Sequence, residues 1–214
     1  PKDMASRMGL SDKLASLNFD RYQSWKASKT LSDDAKPSVL VFKGDVYQGL
    51  SADTFNTKQL KFSQKHLRIL SGLYGILKPM DLIKPYRLEM GTKLVTDKGK
   101  NLYEFWGNAI QKNIINELDE QKSDLVINLA SKEYFSVIGK MPEYLNVVSP
   151  AFRDFKNGKY KIISFYAKRA RGLMARWIIE NNIKDFERLS EFNVDGYYYS
   201  SKESSVNEPV FLRD

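Results

Sequence analysis

The chain has no cysteine among its 214 residues. That removes thiol nucleophiles, disulfides, thiolate metal sites and any cysteine that could sense an oxidant. It has a single histidine, His66. A catalytic zinc usually draws on two or three imidazoles, so a histidine-built metal centre is not expected. A Ser-His-Asp triad would have to recruit a histidine wedged between Lys65 and Leu67. No apolar run approaches the roughly 20 residues that span a bilayer, and no secretory signal opens the sequence. A cytoplasmic protein is the expectation, with no membrane partner, no cofactor and no tightly bound metal. The first residue is Pro1 rather than Met, which points to a processed or truncated product.

Acidic residues are missing in a more telling way. None occurs between Asp53 and Asp81, where Lys58, Lys61, Lys65, Arg68 and Lys78 lie. None occurs between Asp154 and Glu180 either, where Lys156, Lys159, Lys161, Lys168, Arg169, Arg171 and Arg176 lie. The whole chain has 34 Lys and Arg against 26 Asp and Glu. Setting aside those twelve cations leaves 22 against 26, a slightly acidic body carrying two basic strips. Clustered charge of one sign focuses the local field and suits a polyanion.

What is present reads as globular. Hydrophobic residues make up 42% and charged residues 28%, and 12 Tyr, 12 Phe and 3 Trp promise an aromatic core. Ser38–Phe42, Asp124–Asn128, Tyr144–Val148 and Tyr160–Tyr166 read as strands, each feeding a turn or helix. Gly196–Tyr199 and Pro209–Leu212 read as a further, edge-like pair. Helices are predicted to start at Ser11-Asp12 and to run over Leu102–Leu118. No repeat, low-complexity tract or Gly/Ser linker interrupts the chain. The fold class expected is α/β, a single compact mixed-sheet domain over residues 1–214.

Ala170, Leu173, Met174, Trp177 and Ile178 form one apolar helical stripe, with Lys168, Arg169, Arg171 and Arg176 on its flanks. Gly172 and Ala175 leave a low surface where another backbone can come close. If the Tyr160–Tyr166 strand feeds this helix directly, its cations oppose the dipole at the N-terminus, at a cost of ~0.3–1 kcal/mol each when exposed. A phosphate or carboxylate held between them and the free N–H groups accounts for that placement. Pairing with acids such as Asp45 or Glu89 is the alternative account.

In the other strip, a helix stopped at Gly72 and a turn at Gly75 give the outline of a helix-hairpin-helix element. Its exposed amides would contact a nucleic-acid backbone, flanked by Lys65, Arg68 and Lys78. An ordinary tight turn explains the same glycines. Asp45, Glu89, Glu133 and Lys168 form a separate candidate set, a carboxylate–lysine pocket for proton transfer or phosphate chemistry. Taken singly, these carboxylates also serve as turn and helix caps.

Phe42–Tyr47, His66–Gly75, Lys84–Gly91, Asn128–Ser131 and Ile163–Gly172 closely resemble the YaaA family of bacterial peroxide-stress proteins, in order and over nearly the whole chain. The resemblance implies a cytoplasmic α/β protein with a helix-hairpin-helix element and a basic cleft. It also implies binding of double-stranded DNA, limitation of oxidative damage, and lowered intracellular iron. The family opens with a strand and a Ser-Pro-Ala-Lys-type segment that has no counterpart before Pro1. Tight direct chelation of iron is not expected of a chain with one His and no Cys. The DNA-binding set is then Lys65, Arg68, Gly72, Gly75, Lys78, Lys168, Arg169, Arg171 and Arg176. The alternative is an enzyme acting on a nucleotide, nucleobase or phosphorylated small molecule through Asp45, Glu89, Glu133 and Lys168.

Overall fold

A computed structural model describes residues 1–27, 30–32 and 34–214. The fold is mixed α/β and divides into two compact units interleaved along the chain. The first comprises Pro1–Val41, Leu67–Ile114 and Ser131–Gly139; the second comprises Phe42–His66, Ile115–Ala130 and Lys140–Asp214.

The first unit opens with helices Lys2–Met8 and Asp12–Gln23; the second starts after Ser11, as its sequence predicts, although the Ser11 side chain makes no capping hydrogen bond. Gly9 takes the left-handed conformation that separates them (φ 61°). Ser38–Phe42 was expected to be a strand, but Ser38–Val41 is one turn of helix. The reason is local. Strand Lys36–Pro37 pairs antiparallel with Leu82–Ile83. The Ser38 amide then donates to the Asp81 carbonyl at 2.8 Å, and the Ser38 hydroxyl donates to the Lys78 and Pro79 carbonyls. With its polar groups bound to that loop, the chain stops pairing and coils.

Residues 69–77 also depart from expectation. The helix before them, Thr57–His66, ends at His66 instead of Gly72. Ile69–Ser71 and Gly75–Leu77 then pair as a two-stranded β-hairpin, with Ser71 opposite Gly75. No helix follows until Leu102–Trp106. The predicted Leu102–Leu118 helix is two helices, Leu102–Trp106 and Ala109–Gln121, broken at Gly107 (φ 50°).

The second unit is built around a four-stranded mixed sheet. Its order is Lys159–Lys161, Ala151–Lys156, Val210–Arg213, Tyr198–Tyr199, and only the central pair is parallel. The expected tail strands are both present, Tyr198–Tyr199 at the edge and Val210–Arg213 inside. The strands expected within Asp124–Asn128 and Tyr144–Val148 are present as Leu125–Ile127 and Asn146–Val148, and they pair in parallel.

One sheet face packs on the helix Ser164–Glu180 through an aromatic cluster. Phe152 stacks on Phe211 at 5.5 Å, and Phe192 meets Phe152, Phe211 and Trp177 edge-on. The predicted stripe of Ala170, Leu173, Met174, Trp177 and Ile178 faces this cluster.

Helix Asp45–Leu50 lies on the Ser164–Glu180 helix at backbone distance. A Cβ on Gly172 would sit 1.8 Å from the Val46 carbonyl oxygen, and one on Gly49 would sit 2.3 Å from the Arg169 carbonyl oxygen. Two glycines thus let two helices touch main chain to main chain, which is the close approach that the low surface at Gly172 foreshadows.

Candidate functional site

In the second unit the Ser164–Glu180 helix begins at Ser164, with no acidic residue in its first turn and no side-chain cap. The strand before it ends at Lys161, so residues 162–163 intervene. Lys168, Arg169 and Arg171 therefore stand one turn further in than the sequence led us to expect, where the dipole opposes them less. The first turn holds Phe165 and Tyr166 instead, both exposed.

Lys168 is exposed and Arg169 half-buried; among the described residues neither forms an ion pair, nor does Arg171. Asp45, offered by the sequence as a partner for these cations, pairs with none of them. Arg171 is the informative member. Its Nε donates to the Ala167 carbonyl at 3.2 Å, and burial pulls the guanidinium below the ordinary arginine value. Arginine keeps its charge nonetheless. A partly desolvated cation without a carboxylate is a cost that an incoming phosphate offsets with charge-assisted hydrogen bonds.

Arg176 belongs to the architecture. Its Nη1 donates to the Leu50 carbonyl at 3.2 Å, the Ser51 carbonyl at 3.1 Å and Thr54 Oγ1 at 2.8 Å. Its Nη2 pairs with Glu180 at 2.8 Å, and the guanidinium lies over the Phe55 ring. It closes the C-terminus of the Asp45–Leu50 helix, whose last carbonyls need donors. Arg176→Lys is therefore expected to lower unfolding stability by about 2 kcal/mol, since one ammonium cannot reproduce the forked contacts. Chemical denaturation checks the loss.

Lys65 sits in the last turn of Thr57–His66, where a cation complements the dipole. That helix packs against Ser164–Glu180. The remaining members of the expected DNA-binding set, Arg68, Gly72, Gly75 and Lys78, fall in the first unit.

Neither glycine there offers an open amide surface, because both are buried. A Cβ on Gly72 would meet the Leu88 carbonyl at 2.4 Å, while one on Gly75 (φ 75°) would meet the Trp106 ring at 2.8 Å. Trp106 Nε1 donates to the Gly72 carbonyl. The turn is glycine-bounded so that Leu88 and Trp106 can close on it. Arg68 donates to the Leu67 carbonyl, and the Lys78 amide donates to Asp81 Oδ2.

The carboxylates of the alternative set also divide. Asp45 opens the Asp45–Leu50 helix in the second unit, together with Lys168. In the first unit Glu133 Oε1 accepts from the Gly91 amide at 2.8 Å, and Tyr103 donates to the Glu133 carbonyl. Glu89 pairs with Arg87 at 3.0 Å. Both carboxylates bear on Tyr134, whose phenol is raised first by burial and then by Glu133 and Glu89.

Further tyrosines crowd the same unit. Burial pushes Tyr22 up to about 12 while it donates to the Arg87 carbonyl. Tyr86, also raised by burial, shares a hydrogen bond with Ser71. The Lys84–Gly91 segment is thus the hub of a tyrosine–carboxylate cluster that the sequence reading, having assigned tyrosines to the core, did not assemble.

Two features of the second unit escaped the sequence reading as well. Ala151–Lys156 and Lys159–Lys161 form a β-hairpin turning at Asn157-Gly158, both with positive φ (58° and 77°). The Asn-Gly pair is the signal that should have marked it. Beside it, Asp154 is buried and accepts from Arg213 and Tyr197. Arg213 also pairs with Asp195 and lies between the rings of Tyr166 and Tyr197. An open recess of about 460 Å³ lies there, lined by Phe155, Lys156, Tyr166 and Arg213 among others.

Residues 1–203 match the family model described as "Peroxide stress protein YaaA". The chain belongs to the YaaA family. It is 52% identical over 216 residues to a UPF0246 protein of Shewanella pealeana, covering 100% of this chain and 83% of that relative. A UPF0246 protein of Shewanella halifaxensis is 53% identical with the same coverage. One from Polynucleobacter necessarius subsp. necessarius is 52% identical over 213 residues, covering 82% of its length. Among the described residues of this YaaA-family chain, no helix is long and apolar enough to cross a membrane.

Proposed function

We propose that this chain binds double-stranded DNA largely without sequence specificity, as part of the peroxide-stress response of its family. The observation that carries the reading is the trio Lys168, Arg169 and Arg171. They lie within about one turn of a single helix, without a carboxylate partner among the described residues, and Arg169 and Arg171 are half-buried. Backbone phosphates are the ligands this arrangement suits, because it offers charge and forked donors but no array of base-reading amides. Occupancy of DNA is then the protective act, and the effect on intracellular iron is indirect. Among the described residues no three His, Asp or Glu groups gather as a metal site would require.

The test is fluorescence anisotropy with short duplexes of unrelated sequence, titrated between about 50 and 200 mM salt. Affinity should be similar across sequences and should fall with a log–log slope of about −3, near −0.9 for each phosphate neutralised by the trio. A flat slope removes the proposal.

Glu89 and Glu133 supply the one observation behind the alternative, an enzyme acting on a nucleotide, nucleobase or phosphorylated small molecule. Both raise the Tyr134 phenol in the first unit, after burial, and a phenol near carboxylates is chemistry suited to proton transfer.

A further inference from the structure

Asn157-Gly158 is the only Asn-Gly pair in the sequence. It forms the tip of the hairpin between Ala151–Lys156 and Lys159–Lys161, where both residues are exposed and have φ of 58° and 77°. These are the left-handed conformations that a two-residue turn demands and that Asn and Gly supply. The same pair holds an electrophile and a nucleophile close enough to shut a ring. The main-chain nitrogen of the glycine can attack the carboxamide carbon, and glycine has no side chain to stand in the way.

Three features of the turn favour that attack. Among the described residues neither the Asn157 carboxamide nor the Gly158 amide has a hydrogen-bond partner, so no bond has to be given up. A Cβ on Gly158 would meet nothing within 4 Å, so the nitrogen has room around it. Lys156 and Lys159 face each other across the turn, exposed and without an ion pair among the described residues. Their charges stabilise the negative charge that builds on the Gly158 nitrogen and on the carboxamide oxygen during the attack.

Comparable positions lack this combination. Asn182 also has a positive φ (51°), but the amide after it belongs to buried Ile183 and donates to the Ile178 carbonyl at 3.0 Å. Asp195-Gly196 repeats the conformations of the hairpin turn (φ 57° and 79°). Its side chain is a carboxylate paired with Arg213 at 2.8 Å, which resists attack.

We propose that Asn157-Gly158 is a self-modifying site, which deamidates without an enzyme and turns a basic hairpin tip into a charge-balanced one. The Gly158 nitrogen bonds to Asn157 Cγ and gives its proton to solvent, while the carboxamide nitrogen takes a proton from solvent and leaves as ammonia. Water then opens the succinimide, its hydroxyl going to a ring carbonyl carbon and its proton to the Gly158 nitrogen. Breaking the bond to Cγ gives aspartate; breaking the bond to the main-chain carbonyl carbon gives isoaspartate. Either product sets a new negative charge between two lysines that otherwise repel each other across the strand pair. Aspartate fits the turn, as Asp195-Gly196 shows in the same unit. Isoaspartate lengthens the main chain by one carbon in a turn of only two residues. That moves the Lys156–Lys159 pair out of register, and with it the exposed rings of Phe155 and Tyr160, which meet edge-on at 5.2 Å.

The experiment ages the folded whole chain for weeks in mildly alkaline buffer at physiological temperature and maps it by peptide mass spectrometry. The Asn157 peptide should show deamidation ahead of every other asparagine, and the intact chain should shift to a less basic position on ion exchange. Asn157→Asp should co-elute with the aspartate product and keep a Tm at or above the parent's, while the isoaspartate fraction unfolds at a lower temperature. Lys156→Gln/Lys159→Gln should slow the conversion roughly threefold; an equal rate in that variant strikes out the part given to the two ammonium groups. An Asn157 that stays intact throughout overturns the proposal. So does one that converts only when urea unfolds the chain, because the hairpin would then be protecting it.

Discussion

Gly172→Ala should destabilise the second unit by about 3 kcal/mol, a loss of roughly 10 °C in Tm for a chain of this size. On an isolated helix the same change would help, since Ala is favoured over Gly by about 1 kcal/mol in a helix interior. Here the added methyl would lie 1.8 Å from the Val46 carbonyl oxygen and 2.9 Å from the Leu50 nitrogen. Both are main-chain atoms of a facing helix and have no rotamer to escape into. The helices must separate by more than an ångström, which strips contact from the best-packed seam of the unit, and that loss exceeds the propensity gain. Differential scanning calorimetry reads the result, with Gly49→Ala as an independent probe of the same seam. A Tm at or above the parent's for both variants would show that the helices do not touch as described. The change also has a functional arm. The Arg169 carbonyl packs on Gly49, so moving this seam moves the turns that carry Lys168, Arg169 and Arg171.

Reversing charge at Arg169→Glu/Arg171→Glu should cost roughly two orders of magnitude in duplex affinity and flatten the salt slope by about 2. Under the proposed DNA binding, two attractive contacts become repulsive to a phosphate. Because a carboxylate at the half-buried position 171 brings its own desolvation cost, Arg171→Gln serves as the milder companion. It removes the charge, keeps a polar stem, and should flatten the slope by about 1. Binding that survives both variants with an undiminished slope would place the DNA contact elsewhere.

Legibility in the sequence followed the range of the deciding contacts. The Ala170–Ile178 stripe and the helix start at Ser11-Asp12 depend on neighbours within two turns, and both appear where the sequence placed them. Leu125–Ile127 and Asn146–Val148 were equally legible as short, branched, apolar runs. Ser38–Val41 carries the same composition, yet it is helical because the loop at Lys78–Asp81 claims its polar groups across 40 residues. Gly72 and Gly75 were rightly singled out and wrongly explained. Glycine permits a helix stop, a tight turn or a close approach, and only Leu88 and Trp106, both distant in sequence, decide among them. Charge alone likewise gave Arg176 the same standing as Arg169, although Thr54 and the end of the Asp45–Leu50 helix had already claimed it. The exposed rings of the hairpin were hidden by a sound prior, that Phe and Tyr in a globular chain go inside.

The interleaving of the two units carries a consequence for how this polypeptide is made. The chain crosses from one unit to the other after Val41, His66, Ile114, Ala130 and Gly139. A ribosome therefore cannot finish the first unit until Gly139 has emerged. The second must wait for Val210–Arg213, the strand that slots between Ala151–Lys156 and Tyr198–Tyr199. Neither half can mature on its own during translation, so nascent chains spend most of synthesis with unsatisfied apolar surface, the condition that favours aggregation.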